Sequence, residues 1–454
     1  MGKKPLALAV ASACLSLYAF SSAQAAGFVE DSKATLSMRN FYINTDNRNG
    51  SAKPSKNEEW GQGFMLNYQS GYTQGTVGFG VDAVGMLGLR LDGGGRLGKS
   101  TAERQPSASG SFPLDTDGSY ENEFSSLGLT AKVKVSETEL RYGTLSPKLP
   151  VVTINDGRLL PQTFQGGQIQ SKEIKDLTFT AGQLSKTKTR GSSSSDNLSI
   201  AGANSATGEN TNKFWYAGAD YQLTKDLTLQ YYYGNLEDFY KQHFLGLGHS
   251  IKLGEGTFKT DLRYFNSKDD GANNNTSSYY TSGYYGGNTL KGKVDNQLYS
   301  ALFAYTIQGH TVAAGYQISN GNSDFPFINT GGGASAYINT DAQIAKFNRA
   351  GEDTWQVRYS YDFAAVGMPG LTAGVVYLRG DNIDTGRGDR SEWERDFTVT
   401  YVIPQGTFKG LGLSWKNASF RTGLPASAQN ASGVPGARDQ DENRLIVSYS
   451  LPLL

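Results

Sequence analysis

The chain has 454 residues, with 42 basic against 42 acidic side chains and a single cysteine, Cys14. That neutrality excludes a broadly basic nucleic-acid binder, and one cysteine excludes a disulfide scaffold or a thiolate metal cluster. Hydrophobic residues make up 38% and mean hydropathy is negative, so the fold has to be read from pattern rather than from apolar content.

Residues 1–25 read as a cleaved secretory signal. Lys3 and Lys4 give the charged start, Leu6–Phe20 the apolar run, and Ala23-Gln24-Ala25 the small-residue cleavage site. Cys14 lies inside that run, and Ala11 stands where a lipid-attachment motif wants a larger aliphatic. Residues 26–454 then form one domain without cysteine.

Past the signal no apolar run approaches the ~20 residues of a membrane-spanning helix. Segments of about ten residues instead alternate apolar with polar or small side chains. Chain order gives Phe64-Leu66-Tyr68, Val77-Phe79-Val81-Ala83, Leu127-Leu129-Ala131-Val133 and Trp215-Ala217-Ala219-Tyr221. Leu227-Leu229-Tyr231-Tyr233, Trp355-Val357-Tyr359-Tyr361 and Leu445-Val447-Tyr449-Leu451 follow. A period of two with one apolar face marks strands. Tyrosine and tryptophan at the ends of many faces (Tyr68, Tyr72, Tyr142, Trp215, Tyr233, Trp355, Tyr361, Trp415) match the aromatic girdles of a membrane barrel. Connections alternate between short ones, such as Thr224-Lys225-Asp226 and Thr306–His310, and long polar ones, such as Asp92–Glu123, Lys186–Lys213, Ser267–Asp295 and Ser319–Asp353. The reading is an all-β, transmembrane antiparallel barrel of roughly sixteen to eighteen strands. Residues 239–252 give no clean apolar face on either parity.

One connection stands apart. Residues 141–172 carry Pro147, Pro150, Pro161 and the pair Gly166-Gly167, with no regular element of their own. Leu149, Val151, Val152, Ile154, Leu159, Leu160 and Phe164 are too apolar for a solvated linker, and loops this long are usually functional. A barrel this wide leaves a lumen unless something fills it, so the loop is expected to fold inward as a gate.

Gly93–Ser100 satisfies the phosphate-loop pattern, but Pro106, Gly110 and Pro113 follow where a helix is required, so it reads as an outer loop. His243, His249 and His310 are too few and too scattered for a metal or nucleophile site. The acidic stretch from Asp381 to Asp389 lacks the regular ligand spacing of a calcium loop. No enzyme activity and no cofactor are expected.

Parity places Arg39, Lys132, Lys134, Arg141, Arg263, Arg358, Lys416 and Arg444 off the lipid face, with Asp82, Glu139, Asp220, Asp261 and Asp362. On the lipid face a basic residue would cost about 2–4 kcal/mol near the midplane, which sends these charges inward. Two readings stand at this level: a mutually paired, water-filled wall, or a track of cations that favours anions.

Taken together the segments resemble the OprD-like outer-membrane porins. The resemblance rests on GFVEDSKATLSMRNFYIN, PKLPVVTINDGRLLPQTFQGGQI, EDFYKQHFLGLGHSIKL, DNQLYSALFAYTIQGHTVAAGYQ, SNGNSDFPFIN, TWQVRYSYDFA, RGDNID, SEWERD and ENRLIVSYSL, in that order along one chain. It implies eighteen strands, with loops around Asn155-Asp156-Gly157-Arg158 and Asp324-Phe325-Pro326 folded inward to form a constriction. It also implies that Arg39, Arg158, Arg358 and Arg444 belong to a basic ladder or the constriction, with Lys416 nearby and Asp156 and Asp324 on an opposing acidic side. Val376 and Ser414 stand where the family pattern often has arginine, which thins the ladder, and the chain ends in leucine rather than an aromatic. The function implied is passive uptake of small carboxylate-bearing solutes across a Gram-negative outer membrane, by a monomer or loose trimer in contact with lipid. A general porin, an outer-membrane hydrolase and an adhesin are the rival readings.

Overall fold

The computed structural model describes residues 27–48, 56–93, 110–115, 119–200, 209–271, 280–285, 288–291, 294–329, 335–384, 388–424 and 439–454. The expected signal, residues 94–100 of the phosphate-loop pattern, and part of the acidic stretch after Asp381 lie outside them.

Eighteen long strands build one antiparallel barrel. They are β1 (Lys33–Asn47), β2 (Lys56–Gln69), β3 (Val77–Asp92), β4 (Glu123–Val135), β5 (Thr138–Leu145), β6 (Thr163–Ser171), β7 (Leu177–Lys188), β8 (Phe214–Thr224) and β9 (Leu227–Leu236). The second half is β10 (Tyr240–Leu253), β11 (Gly256–Asp269), β12 (Asp295–Ile307), β13 (His310–Gly321), β14 (Asp353–Asp362), β15 (Leu371–Ile383), β16 (Arg390–Val402), β17 (Gly412–Thr422) and β18 (Gln440–Pro452). Each pairs with its chain neighbours, and β1 pairs with β18 from Thr35↔Pro452 to Asn47↔Gln440, which closes the ring. Closure leaves no strand edge unpaired, the condition for a sheet in lipid. Among the described residues no helix is long and apolar enough to cross a membrane.

The alternation of side chains decides the faces. Leu127, Leu129, Tyr142, Leu245, Val357, Trp415 and Leu445 stand exposed on the outside, while Arg39, Lys132, Arg263, Arg358 and Arg444 share the inner parity of their strands. Tyr377 lies between Trp355 and Trp393, at ring distances of 5.3 and 5.9 Å, one segment of an aromatic girdle. Short connections gather at one end: residues 136–137, 225–226, 254–255 and 308–309. At the last, Gln308 and Gly309 both take positive φ, 47° and 84°, which turns the chain with the twist of the strands it joins. The long connections, including 93–122, 146–162, 189–213 and 322–352, gather at the opposite end.

Strand β10 shows why residues 239–252 resist a parity reading. Tyr240, Gln242 and Phe244 point inward and are buried, while Lys241, His243 and Leu245 point outward and are exposed. Its inner face is apolar because loops press on it: Phe244 and Phe265 lie in one cluster with Val151, Val152, Phe325, Phe327 and Ile338. Both faces of the strand are therefore partly apolar, and hydropathy alternation disappears.

Candidate functional site

The loop at 146–162 leaves β5, forms a minimal hairpin between Lys148–Leu149 and Val152–Thr153, and crosses the lumen. Leu159 and Leu160 are fully buried among Phe41, Ile43, Met65 and Phe112. Burying each leucine contributes about 2 kcal/mol. Glycines on the inner face of β2 admit this: a Cβ at Gly61 would lie 2.8 Å from both Leu159 and Phe112, and one at Gly63 would lie 3.1 Å from the Leu159 carbonyl. With its leucines docked, the loop leaves Asp156 exposed, and Asn155, Gly157 and Arg158 half-buried.

Loop 322–352 enters from the other side. Its span 337–345 is held from four strands, β11, β14, β16 and β18. Arg263 donates to the Tyr337 carbonyl at 3.2 Å and lies 4.1 Å from that ring, and Arg358 donates to the Asn339 carbonyl. On β16, Glu394 accepts from the amides of Ile344 and Ala345, both at 2.7 Å, and Asp396 from that of Gln343 at 3.1 Å. On β18, Gln343 donates to Glu442 at 3.0 Å while Arg444 donates to the Gln343 carbonyl at 2.8 Å. Val376, at one position where an arginine was expected, packs with Phe347, Leu378, Ala342 and Ile344 beneath the loop. Ser414, at the other, shares a hydrogen bond with Thr400. Both departures serve the wall or the loop rather than the path.

Between the two loops lies a cluster of cations. Arg39 donates to both carboxylate oxygens of Asp156, at 2.8 and 3.2 Å, and to the Arg158 carbonyl at 2.6 Å. Gly157 sits among three guanidiniums: Arg158 donates to its carbonyl at 2.9 Å, and a Cβ there would lie 3.6 Å from Arg190 Nη1 and 3.9 Å from Arg444 Nη1. Burial, and then the charge of Arg444, pull Arg158 down to about 10. Burial and the charges of Arg158 and Arg444 likewise pull Arg190 well down. Glu442 answers part of this charge, at 2.6 Å from Arg444 and 3.9 Å from Arg158, and the like charge that remains favours the arrival of an anion. Lys416 is the cross-strand partner of Arg444 and is half-buried, with no hydrogen bond or ion pair among the described residues.

The acids stand differently from expectation. Asp156 is not opposite the cations but bound to Arg39 among them. Asp324 does not line the channel: its side chain is sealed, accepting from the Ala350 amide at 2.9 Å and facing Arg349 at 3.6 Å, so it fastens the base of its loop. The acids on the wall across the ring are Asp220 on β8 and Asp261 on β11, about half the strands away from β1 and β18. Asp220 accepts from Tyr232 at 2.5 Å and Gln230 at 2.6 Å, and Asp261 engages Arg263 through both oxygens.

The remaining basic residues lie elsewhere. Lys132 and Arg141 face each other across β4 and β5 near the short-turn end, where Lys134 is the cross-strand partner of Glu139. They do not join the cluster around Gly157. Arg190 and the loop span 337–345 were missed by sequence reading. Their positions depend on how two irregular loops fold, which no periodicity records.

The model of one protein family, described as outer membrane porin, OprD family, matches residues 26–453. Among curated proteins the chain is similar to the porin-like protein GalP of Pseudomonas putida, 36% identical over 433 residues and covering 95% of each chain. Among solved structures it is similar to OccK8 (OprE) of Pseudomonas aeruginosa, at 60% identity and a TM-score of 0.84, covering 94% of this chain and 100% of that one. It is also similar to OpdK of the same species, solved with vanillate, at 34% identity and a TM-score of 0.80 over the same shares.

Proposed function

The chain belongs to the OprD family of outer membrane porins, which admit small organic solutes without catalysis, and on that footing we propose that its preferred solutes carry a carboxylate. The observation that carries this reading is the convergence of Arg158, Arg190 and Arg444 on Gly157 at the place where both loops enter the lumen. A guanidinium meets a carboxylate with two parallel N–H donors, a match that a point charge lacks. Arg39 and Lys416 extend the basic wall on either side, and Asp220, held by the neutral donors Tyr232 and Gln230, offers an opposing acid to the rest of the solute. OpdK, a relative, was solved with vanillate, itself a carboxylate. Binding on the basic side stays weak enough for release, because Arg39, Arg158 and Arg444 are already shared with loop carbonyls or acids. Export through the signal at 1–25 and a monomeric or loosely trimeric state belong to the same proposal; apolar side chains facing outward on the described strands suit a barrel bounded by lipid.

Single-channel current in a planar bilayer under a salt gradient, with small carboxylates added to one side, tests it. A small conductance carried or interrupted by the acids is expected, and Arg158→Ala and Arg358→Ala should each weaken that effect. A large ohmic conductance indifferent to carboxylates would leave a general porin.

A further inference from the structure

Lys132 has the parity of a residue on the basic track, yet its ammonium is committed elsewhere. Its Nζ lies 2.6 Å from Asp82 Oδ1, donates to the Ser70 carbonyl at 2.7 Å, and stands 4.9 Å from the centre of the Tyr72 ring. Only 6% of the side chain is exposed. Ser70 and Tyr72 belong to the connection 70–76 between β2 and β3, at the end of the short connections, which in outer-membrane barrels faces the periplasm. Its first residues lie against the inner face of β3. Ser70 Oγ accepts from the Val81 amide at 2.8 Å, and Thr73 exchanges two hydrogen bonds with the backbone of Phe79, both at 2.9 Å. Inward-facing glycines leave room for it: a Cβ at Gly78 would lie 3.0 Å from Tyr72 Cβ, and one at Gly80 would lie 2.5 Å from Lys132 Cε and 2.8 Å from the Gly71 carbonyl. From the turn Tyr72 reaches Glu139 on β5, which Arg141 also holds, and the Gly71 amide donates to the Phe28 carbonyl at 2.9 Å.

We infer that Lys132, with Asp82, is a positioning residue that clasps the Ser70–Thr73 turn inside the periplasmic mouth, where the turn makes a second narrow point on the way out. This holds whichever solute the channel prefers. A clasp and a rung of a basic track differ in sign. Removing a cationic rung lowers anion preference and removing the acid beside it raises that preference, whereas breaking either half of a clasp frees the same turn.

The test records Lys132→Met, Asp82→Asn and Gly80→Ala barrels in potassium chloride alone, reading open-channel conductance, current noise and reversal potential under a gradient. Heat-modifiable mobility on a gel identifies folded barrel first. All three variants should raise conductance and noise in the same direction, although Gly80→Ala changes no charge. Opposite shifts of reversal potential for Lys132→Met and Asp82→Asn, with conductance unchanged and Gly80→Ala silent, would overturn the inference. Where loss of a buried charge leaves no folded barrel, Gly80→Ala keeps both charges and crowds Lys132 and the Gly71 carbonyl directly. A rise in conductance and noise there supports the clasp, and wild-type current refutes it.

Discussion

Arg190 lies outside the strands, in the connection after β7, yet its guanidinium reaches Asn155 at 3.0 Å and flanks Gly157. If it receives solute, Arg190→Ala should weaken carboxylate block of the current about tenfold, the equivalent of one charge-assisted hydrogen bond at about 1.5 kcal/mol. Arg190→Lys should recover only part of it, since an ammonium lacks the planar fork. Concentration dependence of the block measures both. Gly61 gives a second test at this scale. Its missing side chain is what lets Leu159 and Phe112 meet the wall, so Gly61→Ala should loosen the 146–162 loop and raise conductance without changing any charge near the path. Bilayer recordings decide it, and unchanged conductance would mean the loop absorbs the methyl. Residues of the wall were legible in sequence because strand parity has only two answers. Arg39, Arg358 and Arg444 lie on the inner face for the same reason that Leu445 lies on the outer one. Asp324 is assigned to the opposing acidic side only by the family resemblance, and a loop has no parity, so nothing in the sequence distinguishes a side chain sealed at the loop's base from one facing solute.

At the scale of elements, the inward loops are held chiefly by polar anchors at their tips and apolar pads at their bases. Glu394 is fully buried and its two oxygens each accept one loop amide. Glu394→Ala would leave both amides unsatisfied, at about 1–3 kcal/mol each, so the span 337–345 should lift from β16. The expected outcome is a larger, noisier conductance in single-channel traces. Glu394→Gln, which retains one acceptor oxygen, should fall between this and wild type. The loops also explain which strands were readable. Strands such as β4 and β14, with lipid outside and polar side chains inside, alternate cleanly. Strand β10 does not, because Tyr240 and Phe244 on its inner face belong to the apolar cluster that also takes in Val151 and Phe325 of the inward loops. The loss of alternation in one strand is thus a trace of tertiary packing, legible only once the loops are in place.

At the scale of the whole molecule, a closed wall separates two solvents. A single residue step along a strand moves a side chain from hydrocarbon to the lumen. Leu127 and Ser126 on β4 make the comparison sharply, since Leu127 is 66% exposed on the outer face and Ser126 takes the inner parity beside it. Leu127→Arg should destabilise the barrel by about 2–4 kcal/mol if it lies near the bilayer midplane. Ser126→Arg keeps its charge in the lumen, where water and the acids of the wall solvate it, and the cost should be a small fraction of that. Reversible unfolding in urea with lipid vesicles measures the two costs on one scale. Equal penalties would mean that the outer face of β4 is not in lipid, which would contradict the closure of β1 on β18 as the boundary between membrane and pore. A large penalty for Leu127→Arg alone would place that boundary at the wall itself, and it would do so without reference to any solute the channel carries.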